Sequence, residues 1–145
     1  MVETVMGAAP RSVVLFVDDE PAVLDGVRYV LRREEYEILT AQSAEEALEL
    51  LATQPIGVVV SDECMPRMSG ADFLSIVRER YPDVIRIMLT GHASLSAATR
   101  AINEGLYRFL PKPMEQEELR RVMRDAIKLR GLNQEHSKLR RNQPT

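Results

Sequence analysis

The chain has little cysteine, no long apolar run and no excess of positive charge, and each absence excludes a class of protein. Its single cysteine, Cys64, excludes an intramolecular disulfide and a cysteine-rich zinc site, and favours a reducing, cytoplasmic location. No apolar stretch approaches the roughly 20 residues of a membrane-spanning helix, and the N-terminal residues do not resemble a signal peptide. With 19 basic and 22 acidic residues, the chain lacks the charge of a dedicated nucleic-acid binder, so we expect neither nucleic acid nor a membrane as its partner.

What is present is the composition of an ordinary globular domain. The 145 residues are 45% hydrophobic, which is enough to build one core but too short for two full-sized domains. Five short runs rich in β-branched residues alternate with stretches of helical spacing, and this alternation predicts an α/β domain with a parallel sheet. The predicted strands span residues 13–17, 36–41, 58–61, 85–89 and 107–110.

Helix signals lie between and after these runs. Pro21 suits a first helical turn, and Ser43 with Glu46 forms a capping box before the second helix. A third helix is expected after Ser69, a fourth before Gly105 and a fifth from Glu115 onwards.

The C-terminal segment differs in charge from the rest of the chain. Residues 1–113 carry 11 basic and 17 acidic side chains, whereas residues 114–145 carry 8 and 5. Beyond Lys128 the apolar positions shift to Leu129, Leu132 and Leu139, and Gly131 disfavours a helix. A helix that continues as a coiled-coil linker and a frayed, solvated tail both fit this pattern.

Charged and hydroxyl side chains follow four of the five predicted strands. Residues 18–20 (Asp-Asp-Glu) follow the first strand, Asp62 the third, Thr90 the fourth and Lys112 the fifth. Ligands of an open parallel sheet bind beyond the carboxyl ends of its strands, so we expect these groups to form one site. Clustered carboxylates repel one another unless a hard cation bridges them, and oxygen ligands favour Mg²⁺.

This combination predicts phosphoryl transfer to a carboxylate. A carboxylate beside Mg²⁺ can attack phosphorus if the metal and an ammonium group match the charge of the phosphoryl oxygens. Lys112 supplies the ammonium group, and the Thr90 hydroxyl could donate to a phosphoryl oxygen. Taken singly, an Asp pair is more often a turn or helix cap and a Lys-Pro a surface loop, so the prediction depends on all four strand ends together.

Four segments resemble the signature segments of the response-regulator receiver domain of two-component signalling. They are VVLFVDDEP, VVVSDECMPRMSG, LTGHA and YRFLPKP, and the resemblance covers about residues 12–128. It implies a flavodoxin-like, doubly wound (βα)5 fold with strand order 2-1-3-4-5. Residues 1–11 would then be an N-terminal extension, residues 12–128 the receiver domain and residues 129–145 a basic helical tail or linker.

The resemblance also implies a role for each matching residue. Asp62 would be the phosphoacceptor, and Mg²⁺ would be held by Asp18, Asp19, Asp62 and the backbone carbonyl of Cys64. Thr90 and Phe109 would be the switch pair, Lys112 would contact the phosphoryl group, and the Lys112-Pro113 bond would be cis. Phe109 lacks the hydroxyl of the tyrosine that is common in the family, so a switch that relies on that hydroxyl is in doubt.

Cys64 and His92 lie two residues after Asp62 and Thr90, where the family tunes attack of water on the phosphoryl group. Neither side chain orients water strongly, which favours a long-lived phosphoryl group. Two ordinary exposed loop residues with no kinetic effect fit the sequence equally well.

The implied function is a signalling switch rather than an enzyme with its own substrate. A sensor histidine kinase or phosphotransfer protein would supply the phosphoryl group, and the surface of helix 4, strand 5 and helix 5 would change to dock an output domain or to form a homodimer. A haloacid-dehalogenase-type phosphohydrolase fits poorly, because residues 18–20 are not D-x-D. A non-phosphorylated interaction module remains a further alternative. Only 32 residues follow Pro113, so we expect either a stand-alone receiver or the amino-terminal piece of a longer protein.

Overall fold

Five parallel strands form one sheet in the order β2-β1-β3-β4-β5, as predicted. The computed structural model describes residues 11–91 and 105–141, with side chains described as far as residue 134. The strands are β1 (Val13–Val17), β2 (Glu37–Ala41), β3 (Val58–Asp62), β4 (Ile85–Thr90) and β5 (Arg108–Pro111). The predicted fourth helix and His92 lie outside the described residues.

The ends of four strands differ from the prediction by one residue. β3 and β4 each include one residue more, so Asp62 and Thr90 are the last residues of their strands. β2 begins one residue later and β5 is shifted by one. The reason for the shift in β5 is that the ladder with β4 continues, since Lys112 N still donates to Thr90 O at 3.0 Å.

The described helices are α1 (Pro21–Val30), α2 (Ala44–Thr53), α3 (Gly70–Arg80) and α4 (Gln116–Arg141), the last of which is the fifth helix predicted from the sequence. Ser43 caps α2 as expected by accepting a hydrogen bond from Glu46 N at 3.1 Å. The Glu46 carboxylate, however, accepts from Gln42 N rather than from the cap residue itself. Ser69 caps α3 in the same way, through Asp72 N.

Helices cover both faces of the sheet, which is the doubly wound arrangement. On one face, Phe16, Ile87 and Leu110 pack with residues of α1 and α4, including Leu24 and Met123. The opposite face packs against α2 and α3. There the strand residues Leu15 and Val59 pack with Ala47 of α2 and with Phe73 and Val77 of α3. Because β1, β3 and β4 are buried along their whole length, their sequences are almost continuously apolar.

The C-terminal segment continues as helix rather than as a frayed tail. α4 runs without interruption through Gly131 to Arg141, and an added Cβ at Gly131 would meet nothing within 4 Å. Leu132 is 57% exposed, so this part of α4 leaves the domain core. Whether it acts as a coiled-coil linker stays a prediction. No helix in the described part of the chain has both the length and the apolar composition needed to cross a bilayer.

Candidate functional site

Four of the predicted site residues meet at the carboxyl edge of the sheet. Asp18 follows β1, Asp62 ends β3, Thr90 ends β4 and Lys112 follows β5. All strands are parallel, so their carboxyl ends lie on one edge. The topology thus brings together side chains that are up to 94 positions apart in the chain.

Lys112 bridges the two buried carboxylates of the site. Its Nζ lies 3.1 Å from Asp18 Oδ2 and 3.0 Å from Asp62 Oδ1. The Asp18 and Asp62 side chains are 1% and 9% exposed, whereas that of Lys112 is 24% exposed. Burial alone would lower the pKa of Lys112, but its hydrogen bonds to Asp62 and Asp18, together with their charge, raise the pKa above its ordinary value. The ammonium group is therefore held in its charged form.

Asp19 completes a cluster of three carboxylates. One oxygen from each of Asp18, Asp19 and Asp62 lies within 4.8 Å of the others. One ammonium group does not balance three carboxylates, so the cluster retains negative charge in a partly buried setting. Hard oxygen ligands at this spacing fit a hard divalent cation that keeps some of its water ligands.

The backbone around the cluster is tightly constrained. Asp18 Oδ1 accepts a hydrogen bond from Glu20 N at 2.9 Å, which orients that carboxylate. On the other side, the first residue of α3, Gly70, packs directly on the end of β3. A Cβ at Gly70 would lie 2.0 Å from the Asp62 carbonyl oxygen, so only glycine fits at this position. Its N–H donates to Glu63 O at 2.9 Å.

Phe109 lies on the sheet face that packs against α2 and α3, and Thr90 ends β4 at the carboxyl edge of the sheet. Thr90 is 3% exposed. Phe109 is half-buried and packs against the core of the α2 and α3 face. The alternation along β4 and β5 explains this placement, because their neighbours Leu89 and Leu110 belong to the α1 and α4 face.

The hydroxyl of Thr90 donates to the Glu63 carboxylate at 2.5 Å, and the sequence reasoning missed this contact. The signal that could have found it is the strand register. Asp62 pairs with Leu89 across β3 and β4, so the next residues, Glu63 and Thr90, are neighbours at the edge of the sheet.

The roles expected for Cys64 and His92 both stay predictions. Cys64 is an exposed, free cysteine in the loop between β3 and α3, and the role of its backbone carbonyl stays a prediction. His92 lies outside the described residues, so its role also stays a prediction. The Lys112-Pro113 peptide bond is cis, as expected.

Known proteins resemble this chain over most of its length. A profile of the response regulator receiver domain matches residues 14–124. The hydrogenase transcriptional regulatory protein HoxA of Cupriavidus necator is 38% identical over 123 residues, which are 84% of this chain but 25% of the relative. The chain therefore spans about a quarter of the length of such relatives.

Solved receiver domains share the fold. The signal receiver domain of an HD domain-containing protein from Pseudomonas fluorescens Pf-5 has 34% identity and a TM-score of 0.79, covering 84% of this chain and 98% of that one. A CheY-like response regulator receiver domain protein from Methanospirillum hungatei JF-1 has 27% identity and a TM-score of 0.78 over the same shares. Together with the profile match, these likenesses show that the chain belongs to the response regulator receiver domain family, a family of signalling domains.

Proposed function

We propose that the domain accepts a phosphoryl group on Asp62 from the phosphohistidine of a sensor histidine kinase or a phosphotransfer protein. The observation that carries this proposal is the buried bridge of Lys112 between Asp18 and Asp62, next to the accessible Asp19. Three carboxylates around one ammonium group would be repulsive in a purely structural cluster, whereas they suit a site that also takes a divalent cation for phosphoryl transfer. Membership in this family argues against the phosphohydrolase alternative.

The transfer is a direct displacement at phosphorus. An Asp62 carboxylate oxygen attacks, a new P–O bond forms, the P–N bond breaks and its electron pair returns to the donor imidazole. Lys112, already in contact with Asp62, is placed to neutralise charge on the phosphoryl oxygens. When bound by Asp18, Asp19, Asp62 and the Cys64 carbonyl, Mg²⁺ would supply Lewis-acid stabilisation of the same charge.

Phosphorylation would then act through Thr90 and Phe109. Thr90 would donate its hydroxyl hydrogen bond to a phosphoryl oxygen, and Phe109, which shares its face, would repack. Phe109 has no hydroxyl, so this switch works by packing rather than by a terminal hydrogen bond. The altered surface would be that of the predicted fourth helix, β5 and α4, and it would dock an output domain or a second copy of the chain.

The lifetime of the phosphoryl group is part of the proposal. Cys64 is exposed beside the site and offers no carboxylate or amide to orient an attacking water. We expect slow dephosphorylation that His92→Glu accelerates. Equal rates for His92→Glu and the wild type would show that these positions have no kinetic role.

The wider setting is proposed on the relatives. HoxA is by its name a transcriptional regulator of which this chain matches a quarter, so a similar output domain would follow α4 in a longer protein. A histidine kinase donor and an exposed free cysteine both favour the cytoplasm.

The test is intact mass after incubation with acetyl phosphate and Mg²⁺. We expect one phosphoryl adduct on the wild type and none on Asp62→Asn, which has the same shape but no nucleophile. No adduct on a folded wild-type protein would favour the interaction-module alternative instead. Steady turnover of a generic phosphatase substrate would revive the hydrolase alternative.

A further inference from the structure

Glu63 connects the proposed phosphoacceptor to the proposed switch residue. It directly follows Asp62, and its carboxylate accepts the hydroxyl hydrogen bond of Thr90 at 2.5 Å. Its backbone is held at both ends, because Glu63 N donates to Leu89 O and Glu63 O accepts from Gly70 N, each at 2.9 Å. The carboxylate therefore sits on a rigid base rather than on a mobile loop.

The contact competes with the proposed hydrogen bond from Thr90 to the phosphoryl group. A hydroxyl has one proton, so Thr90 cannot donate fully to the Glu63 carboxylate and to a phosphoryl oxygen at the same time. A hydrogen bond to an ionised carboxylate is stronger than one to a neutral acceptor. Glu63 thus stabilises the arrangement in which Thr90 is withheld from the phosphoryl group.

We propose that Glu63 is a positioning residue that holds Thr90 in the unphosphorylated arrangement and so lowers the rate of phosphorylation. This inference rests on the proposed function, because Thr90 matters only if Asp62 accepts a phosphoryl group. We take the arrangement that binds the phosphoryl oxygens to be the one that accepts the phosphoryl group. The rate of phosphorylation then falls with the fraction of molecules in which Thr90 has left Glu63.

The experiment measures the initial rate of phosphorylation by acetyl phosphate and Mg²⁺ through intact mass. Glu63→Met removes the acceptor while keeping the length of the side chain, and we expect it to raise the rate about five- to tenfold. Glu63→Gln keeps a neutral oxygen acceptor and should give an intermediate rate. Glu79→Gln, at an exposed position on α3, removes the same charge far along the helix and should leave the rate unchanged.

A double-mutant cycle with Thr90→Val separates positioning from charge. Removing a carboxylate beside the site also changes its attraction for Mg²⁺ and its repulsion of acetyl phosphate, with or without the hydroxyl. If positioning dominates, Glu63→Met should change the rate by less than about twofold in the Thr90→Val background, because the hydroxyl that Glu63 binds is gone.

The outcomes separate the two proposals. Equal rates for the wild type, Glu63→Gln and Glu63→Met, with adduct formed on all three, would overturn the role of Glu63 and leave the proposed function standing. The same acceleration in both Thr90 backgrounds would assign the effect to charge and also overturn it. No adduct on the wild type would remove the proposed function itself.

Discussion

The carboxyl edge of the sheet and the side formed by α1 and α4 differ in how many carboxylates each cationic group pairs with. At the edge, three carboxylates share one ammonium group, and two of them are buried. On the α1 and α4 side, Arg124 pairs with Glu34 in a two-pronged contact. Its Nε lies 3.0 Å from Glu34 Oε1 and its Nη2 lies 2.9 Å from Glu34 Oε2. The first arrangement has more carboxylates than cationic groups, whereas in the second one carboxylate is matched by one guanidinium group. The unequal arrangement suits the proposed cation site, and the matched one suits a structural ion pair.

The two regions also differ in packing. At the edge, the α3 backbone touches the Asp62 carbonyl so closely that a single methyl group would not fit at Gly70. The α1 and α4 side has a groove of about 350 Å³ lined mainly by apolar side chains, and Gly26 in α1 has no neighbour within 4 Å of an added Cβ. The groove reaches the site at Glu20 and Lys112, so the close packing at the edge is that of α3 on the end of β3.

The largest effect is expected from adding a methyl group at the close contact of Gly70. Gly70→Ala places a Cβ against the Asp62 carbonyl, so α3 must shift, and we expect a loss of about 3 kcal/mol in the free energy of unfolding. Gly26→Ala is the matched control. It should stabilise the protein by about 0.5–1 kcal/mol, because alanine favours a helix over glycine and meets no obstacle. Urea unfolding of both variants measures the difference, and equal effects would contradict the close contact at Gly70.

The second largest effect is expected from removing the ammonium group of Lys112. Lys112→Met leaves Asp18 and Asp62 buried without their shared partner, and we expect a loss of about 2 kcal/mol without Mg²⁺. Mg²⁺ should restore more stability to this variant than to the wild type, because the cation replaces the missing positive charge. Urea unfolding with and without Mg²⁺ tests this, and a variant as stable as the wild type in metal-free buffer would refute it.

Removing one carboxylate from the cluster should stabilise the metal-free protein, whereas removing the ammonium group should destabilise it. Asp19→Asn reduces the repulsion in the cluster without breaking either ion pair of Lys112. We expect metal-free protein to gain about 0.5–1 kcal/mol and the stabilisation by Mg²⁺ to be largely lost. Thermal unfolding across a Mg²⁺ titration shows both effects. A variant that is destabilised without metal would mean that the cluster is not repulsive.

The smallest effect concerns the neutral pair on the other side. The hydrogen bonds from Arg124 lower the pKa of Glu34 below its ordinary 4.5 in the folded protein. The pair therefore stabilises the fold above that ordinary value, and the contribution disappears as the pH falls through the lowered one. Glu34→Gln should be less stable than the wild type at neutral pH, by less than Lys112→Met, and the difference should disappear as the pH falls through the lowered pKa of Glu34. A difference that persists in acid would mean that shape rather than charge is lost.

Much of the fold was predictable because it depends on local patterns. Buried parallel strands require nearly continuous apolar runs, and Val13–Val17 was predicted to the residue. The capping serines and Pro21 mark helix starts through their own backbone chemistry. Strand ends were less predictable, since a ladder such as that between β4 and β5 continues for as long as its partner does.

The candidate site likewise has features that the sequence predicts and features that depend on tertiary contacts. The sequence by itself determined which residue types stand at the ends of four strands, and therefore that carboxylates, a hydroxyl and an ammonium group would share one edge. Only the tertiary structure decided that Lys112 reaches both Asp18 and Asp62, that Gly70 closes on the Asp62 carbonyl and that Glu63 holds Thr90. These contacts depend on strand register and on helix placement, which arise from packing between segments far apart in the chain and leave no mark in the local sequence.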